Sequence, residues 1–246
     1  MTLWNGLELP ESYYKDDDVY IIHADCQDIL PNLDILPNLP SKILVITDPP
    51  YNRRYHYSEY NDNLSVDVYD SLLTSTCRCP SVVIHYPESL FRLSSIMNSI
   101  PKRVVAWCYN SNTARQWRGI AWFGTNQPDF SMLKQDYKNP KDKRIAKLIS
   151  SGKRARLYDW WEVNQVKNVS KEKTGHTCQI PEIVMERIIA STDSTVILDP
   201  FLGSGTTAAV AKQLNRKCIG IEISEEYCQI AAIRCIKAGV EMREKG

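Results

Sequence analysis

Asp48, Pro49, Pro50 and Tyr51 stand together at the end of the apolar run Ile43-Leu-Val-Ile-Thr47. Two consecutive prolines cannot continue a paired strand, and they pin the backbone in an extended bend. The bend gathers a carboxylate, nearby carbonyl oxygens and an aromatic face in one place. Hydrogen-bond acceptors beside a stacking surface suit a planar ring that carries an amino group. For the tetrapeptide taken alone, a Pro-Pro turn with a solvent-facing Asp is an equal alternative, so its meaning depends on its surroundings.

A second segment, Val196-Ile-Leu-Asp-Pro-Phe-Leu-Gly-Ser-Gly-Thr-Thr207, reads as a strand, a glycine-bearing turn and the start of a helix. Gly203 and Gly205 let the backbone pass close to a ligand, and the amino end of the following helix favours a negative group such as a carboxylate. Further on, Cys218-Ile-Gly-Ile-Glu222 is a strand ending in an acid. An acid there can accept hydrogen bonds from both hydroxyls of a ribose, as in nucleotide-binding βαβ units. No Lys follows the glycines, which argues against a triphosphate loop.

These segments need a frame. Short β-branched runs recur at Val19–His23, Ile43–Thr47, Val82–His85, Val104–Trp107, Val196–Leu198 and Cys218–Ile221, and their near-continuous apolarity fits buried strands of a parallel sheet. Helical spacing is clearest over Thr206–Leu214 and Glu225–Ala238. The alternation predicts an α/β fold, mostly parallel, with helices on both faces of the sheet. Open sheets of this kind bind ligands beyond the carboxyl ends of their strands, where both motifs would fall. At 246 residues, 43% hydrophobic and 24% charged, the chain has the composition of a folded globular protein of one domain, or one domain with an insertion. Apolar runs are too short to span a membrane, and the start lacks the basic and apolar stretches of a secretory signal, so a cytoplasmic protein without a membrane partner is expected. The eight cysteines are scattered from Cys26 to Cys235 without a C-x-x-C pair. Reduced thiols and no metal are expected, although Cys77, Cys79, His85 and Cys108 are of the types that could in principle gather round zinc. The short echo of residues 29–33 in 35–39 reads as a local loop duplication.

Taken together, Asp48-Pro-Pro-Tyr51 and Asp199-Pro-Phe-Leu-Gly-Ser-Gly205 resemble the amino-methyltransferases of DNA, which use S-adenosylmethionine to methylate adenine at N6 or cytosine at N4. Because the tetrapeptide precedes the glycine turn and an insert lies between them, the order resembles the beta group of that family. The resemblance implies the Rossmann-like methyltransferase fold in circularly permuted motif order, so that the first and last parts of the chain share one sheet. It implies a catalytic set of Asp48, Pro49, Pro50 and Tyr51. It also implies a cofactor set of Asp25, Cys26, Asp48, His176, Thr177, Asp199, Phe201, Gly203, Ser204, Gly205, Thr206, Glu222 and Ile223, with no metal. His176-Thr-Cys-Gln-Ile-Pro181 keeps the His, Gln and final Pro of the family's usual segment but lacks its first Pro and its Lys.

Net charge is +1, but it is unevenly spread: residues 125–175 carry +6 and the remainder −5. The resemblance places target recognition in this basic insert, between a catalytic part (1–124) and a cofactor-binding part (176–246) of one methyltransferase domain. Lys138, Lys141, Lys143, Arg144, Lys153, Arg154 and Arg156 are its candidate contacts to double-stranded DNA. Arg53, Arg54 and Tyr55, next to the tetrapeptide, mix charge and aromatic rings as strand-binding loops do. Tyr158, Trp160 and Trp161 are read first as an apolar anchor for the insert. The expected activity is adenine-N6 methylation of DNA in a prokaryotic cell or its virus, since Asp at position 48 resembles the adenine enzymes, where Ser is frequent in the cytosine ones. Cytosine-N4 methylation and a non-catalytic DNA-binding protein are the alternatives; release-factor methylases resemble Asn-Pro-Pro-Tyr in the opposite motif order. A second copy of the chain and a separate restriction endonuclease are the further candidate partners.

Overall fold

The computed structural model describes residues 2–32, 42–57, 59–77, 80–124 and 127–245. Among the described residues nine strands form one sheet, in the spatial order Trp160–Glu162 (β11), Arg103–Cys108 (β7), Trp117–Phe123 (β8), Ser81–His85 (β6), Ile43–Thr47 (β5), Val196–Asp199 (β12), Lys217–Glu222 (β13), Val19–His23 (β4) and Tyr14–Lys15 (β3). Only β8 and the edge strand β3 run against the rest. Two small antiparallel hairpins stand apart: Thr2–Trp4 (β1) with Leu7–Leu9 (β2), and Lys134–Gln135 (β9) with Ala155–Arg156 (β10). All six expected strands are present, each within a residue or two of its expected bounds.

Alternate residues of each strand face opposite cores, as the pleat requires. Val19, Ile21, Leu44, Ile46 and Ile197 pack toward helices Glu182–Ala190 (α5), Thr206–Gln213 (α6) and Glu225–Lys245 (α7). Tyr20, Ile22, Val45, Leu198 and Ile219 pack toward Cys26–Ile29 (α1), Val66–Thr76 (α2) and Pro87–Ile96 (α3). Both faces are covered, so the central strands are apolar throughout: β12 is buried at every residue.

The permuted order has the expected result. β4, from the start of the chain, pairs with β13 in register from Cys218↔Val19 to Glu222↔His23. β5 pairs with β12 from Val196↔Ile43 to Leu198↔Val45. Four neighbouring parallel strands therefore end together, at Asp48, Asp199, Glu222 and His23.

Within 127–175, helix Lys143–Ser150 (α4) buries none of its residues, whereas β11 joins the main sheet and Trp161 is 1% exposed. Trp161 packs with Trp122 and Phe130, so the apolar anchor falls on Trp161 and not on Trp160, which is exposed. Most of the 29–39 echo lies outside the described residues, as does Cys79. Among the described residues no His, Cys, Asp and Glu gather in a way that could hold a metal, and no helix is long and apolar enough to cross a membrane.

Candidate active site

β5 delivers Asp48 and Tyr51 to the carboxyl edge of the sheet, where the Tyr51 hydroxyl donates to Asp48 Oδ1. Arg118, from β8, sets its Nη1 3.6 Å from Asp48 Oδ2 and stacks its guanidinium 5.1 Å from the Tyr51 ring centre and 5.4 Å from that of Trp107. Burial raises the Asp48 carboxyl above the usual range, with the Arg118 charge and the Tyr51 hydroxyl opposing it. Tyr51 is also braced by His85, ring centres 4.3 Å apart, and by Tyr86 at 4.7 Å. Behind the corner, Tyr69 donates to the Pro50 carbonyl at 2.7 Å.

The loop after Tyr51 wraps around a buried carboxylate. Asp62 accepts the backbone N–H of Asn52 at 2.7 Å, and those of Arg53 and Tyr55 at 2.9 Å each. Asn52 and Arg54 both take positive φ to make this turn. Hydrogen-bonded amides of this kind hold the loop in a fixed course beside the corner.

Gly203 and Gly205 adopt positive φ, +54° and +76°. A Cβ on Gly203 would stand 3.0 Å from His176 Nε2, and one on Gly205 only 2.6 Å from the Ala231 Cβ, so the turn is clamped between the His176 loop and α7. Arg234 of α7 donates to the Thr206 hydroxyl at 2.7 Å and the Ser204 hydroxyl at 3.1 Å, and pairs with Glu182 at 2.6 Å. Glu222 Oε2 accepts from the Gly203 N–H at 2.7 Å and Oε1 from that of Ser224 at 2.9 Å. Burial raises the Glu222 carboxyl, against those amides, and lifts Asp199 to about 7. His176 is pushed down to about 4 by burial and the nearby Lys173 and Arg234 charges.

Corner and turn open onto one cavity of about 340 Å³. It is lined by the whole Asp48–Tyr51 corner and by Asp25, Cys26, His176, Asp199, Phe201, Gly203, Ser204, Thr206, Glu222 and Ile223. The DNA methylase family profile (N6_N4_Mtase) matches residues 96–233, more than half of the chain. The chain belongs to the DNA methylases. It is 29% identical to the Type II methyltransferase M.ScaI of Streptomyces caespitosus, over 92% of this chain and 84% of that protein. It is 28% identical to the DNA adenine methyltransferase YhdJ of Escherichia coli K12, over 87% and 81%. In fold it is similar to the PvuII DNA methyltransferase (cytosine-N4-specific), with a TM-score of 0.62 at 18% identity over 94% of both chains. The M1.HpyAVI-SAM complex superposes with a TM-score of 0.57 at 22% identity, over 88% of this chain and 98% of that one.

In this DNA methylase two of the expected cofactor residues stand off the cavity wall. Thr177 is exposed and hydrogen-bonds Tyr227, and Gly205 is packed under α7. Asp25 lines the cavity while its Oδ1 accepts the Gln27 N–H at 2.8 Å, capping α1. Of the loop residues Arg53 and Tyr55 line the cavity and Arg54 does not. The basic residues of the insert lie away from it: Lys141, Lys143, Arg144, Lys153 and Arg156 are exposed, Lys138 packs 3.3 Å from the Trp160 ring centre, and Arg154 faces Asp136 at 3.3 Å. Arg118, Tyr69, Asp62 and Arg234 were not expected from the sequence. For Arg118 a signal existed, a lone cation inside the apolar strand Trp117–Phe123.

Proposed function

We propose that this chain transfers a methyl group from S-adenosylmethionine to N6 of an adenine flipped out of double-stranded DNA. One observation carries the reading: the Asp48 corner and the Gly203 turn open onto the same cavity from neighbouring strand ends. A base held at the first and a methyl donor held at the second share one space.

The residues present fit such a donor. Gly203, with its left-handed backbone, and Ser204 and Thr206 at the amino end of α6 suit a carboxylate. Glu222 has lone pairs left for ribose hydroxyls, and Asp25, on the cavity wall, brings a carboxylate that can accept from an amino group. When bound, S-adenosylmethionine supplies an electrophilic methyl group on a sulfonium, whose C–S bond breaks as the amine attacks to leave S-adenosylhomocysteine, and the methylated amine then gives up one proton.

The amine of adenine is a weak nucleophile because its lone pair is delocalised into the ring. Asp48 accepts one of its N–H groups and the Pro49 carbonyl the other, drawing the nitrogen toward tetrahedral geometry with its lone pair turned to the turn side of the cavity. Tyr51 stacks on the base, and alignment supplies most of the remaining rate, effective molarities of such systems reaching about 10⁵ to 10⁸ M. Extruding the base costs a few kcal/mol, which stacking and these hydrogen bonds offset. Residues 125–175 bring the basic surface that follows the duplex. Asp at position 48 and the relative named as an adenine methyltransferase support adenine over cytosine.

Incubating DNA with the chain and methyl-labelled S-adenosylmethionine, then analysing nucleosides by mass spectrometry, tests the reading. Labelled N6-methyldeoxyadenosine is expected, and none with Asp48→Ala. N4-methyldeoxycytidine would move the activity to cytosine. No labelled nucleoside from the wild-type chain would reduce it to a DNA-binding protein with the fold.

A further inference from the structure

The reaction just derived leaves one group of the base pocket unused. Arg118 lines the cavity with its side chain only 12% exposed, 3.6 Å from Asp48 Oδ2. That distance makes an ion pair and is too long for a hydrogen bond, so neither group satisfies the other. Arg118 Nε is buried with no hydrogen-bond partner among the described residues. The guanidinium has five N–H donors, and besides its stacking on Tyr51 and Trp107 it reaches the Tyr109 hydroxyl as a hydrogen-bond partner, which leaves donors to spare. A buried, under-satisfied donor therefore stands beside a buried acceptor, both at the wall against which the base would stack.

We propose, resting on the base-binding reading above, that Arg118 donates to the ring nitrogen next to the reacting amine, N1 of adenine or N3 of cytosine. Asp48 and Arg118 then read an amidine edge, one accepting from the amino group and the other donating to the ring nitrogen. Guanine and thymine carry the reverse pair there, a carbonyl oxygen beside a ring N–H, and would set oxygen against carboxylate and N–H against guanidinium. The pair thus admits the two amino bases and rejects the two others, while leaving adenine and cytosine to be separated elsewhere in the pocket. A donor to the ring nitrogen gains nothing as the amine becomes positive, so Arg118 acts on base capture and its loss is read mainly in KM.

The test compares steady-state methylation of a duplex carrying the natural target base with one carrying its deaza analogue, in the wild type and in Arg118→Met. The analogue is 1-deazaadenine, or 3-deazacytosine if nucleoside analysis gives cytosine; either keeps the amine and replaces the ring acceptor by C–H. For the wild type, kcat/KM should fall about 10- to 100-fold on the analogue, the usual loss when a charged donor is left unpaired. R118M should be about as impaired on the natural base and suffer no further drop on the analogue, while calorimetry shows unchanged S-adenosylmethionine binding. The wild-type comparison stands without the variant, and no penalty there overturns the assignment. A deaza penalty that persists in R118M, with the acid limb of its pH profile moved upward, would show that Arg118 serves only to keep Asp48 ionised, and also overturns it. A wild-type chain that methylates no base overturns the function reading and this assignment together; methylation with a penalty that R118M leaves intact overturns the assignment alone.

Discussion

The carboxylate of Glu222 accepts the backbone N–H of Gly203 at 2.7 Å. The acid at the end of β13 thereby fixes the turn after β12, so that one side chain both shapes the proposed donor site and lines the cavity. Hydrogen bonds to a charged group contribute about 1.5–3 kcal/mol, equivalent to about 10- to 100-fold in affinity. Glu222→Gln retains a single carbonyl oxygen for two backbone donors, and S-adenosylmethionine affinity should fall by that factor in titration calorimetry. Unchanged affinity would remove Glu222 from the donor site.

The pairing of β4 with β13 makes residues far apart in sequence interdependent. Removing residues 1–25 takes away β3 and β4, leaves the β13 edge unpaired and deletes Asp25 from the cavity wall. The truncated chain should give no heat with S-adenosylmethionine, although Gly203 and Glu222 are intact. Retained binding would mean that the amino-terminal strands do not build the site.

What could be read from the sequence follows from how each element is stabilised. β5, β12, β13 and β4 are buried on both faces and so are written as near-continuous β-branched runs, and the motifs at their ends share an edge because the strands are parallel. β8 was missed because Arg118 and Gly119 interrupt its apolar run. Gly119 makes room for Leu90, whose Cδ1 a Cβ there would meet at 2.4 Å, and Arg118 makes sense only once Asp48, Tyr51 and Trp107 converge from two other strands. Asp62 gives no signal because its partners are backbone amides, which every residue has. β11 is three residues long, too short for periodicity to show.

His85 links the corner to the pH dependence of stability. Its Nδ1 accepts the Tyr86 N–H at 2.8 Å, which leaves the proton on Nε2, 2.9 Å from the Tyr69 hydroxyl that in turn holds Pro50. Burial, with the Arg118 and Arg53 charges, pushes His85 down to about 3. The unfolded chain binds this proton near 6.5 and the folded one does not until about 3, so stability is lost as pH falls through that window. Between pH 7 and 5 the loss from this group is about 2 kcal/mol. His176, lowered to about 4, adds the same sign, whereas Asp199, raised to about 7, opposes it over its own window. His85→Gln keeps an acceptor and a donor without the titration. Urea midpoints at both pH values should show the variant losing less stability than the wild type; equal losses would mean that His85 protonates freely in the fold.

On the proposed reading, DNA contact by the insert and donor binding can be separated. Lys141, Lys143, Arg144 and Lys153 are exposed and are not part of the cavity lining, and α4 buries none of its residues, so replacing these four by Gln removes charge without disturbing a core. Each phosphate contact contributes about 0.9 to the slope of log affinity against log salt for duplex DNA. If all four reach phosphates, the slope should flatten by about 3 to 4, and S-adenosylmethionine affinity should stay as in the wild type. A slope that does not change would move the duplex onto another face, with Arg53 and Arg54 beside the corner as the next cations to neutralise.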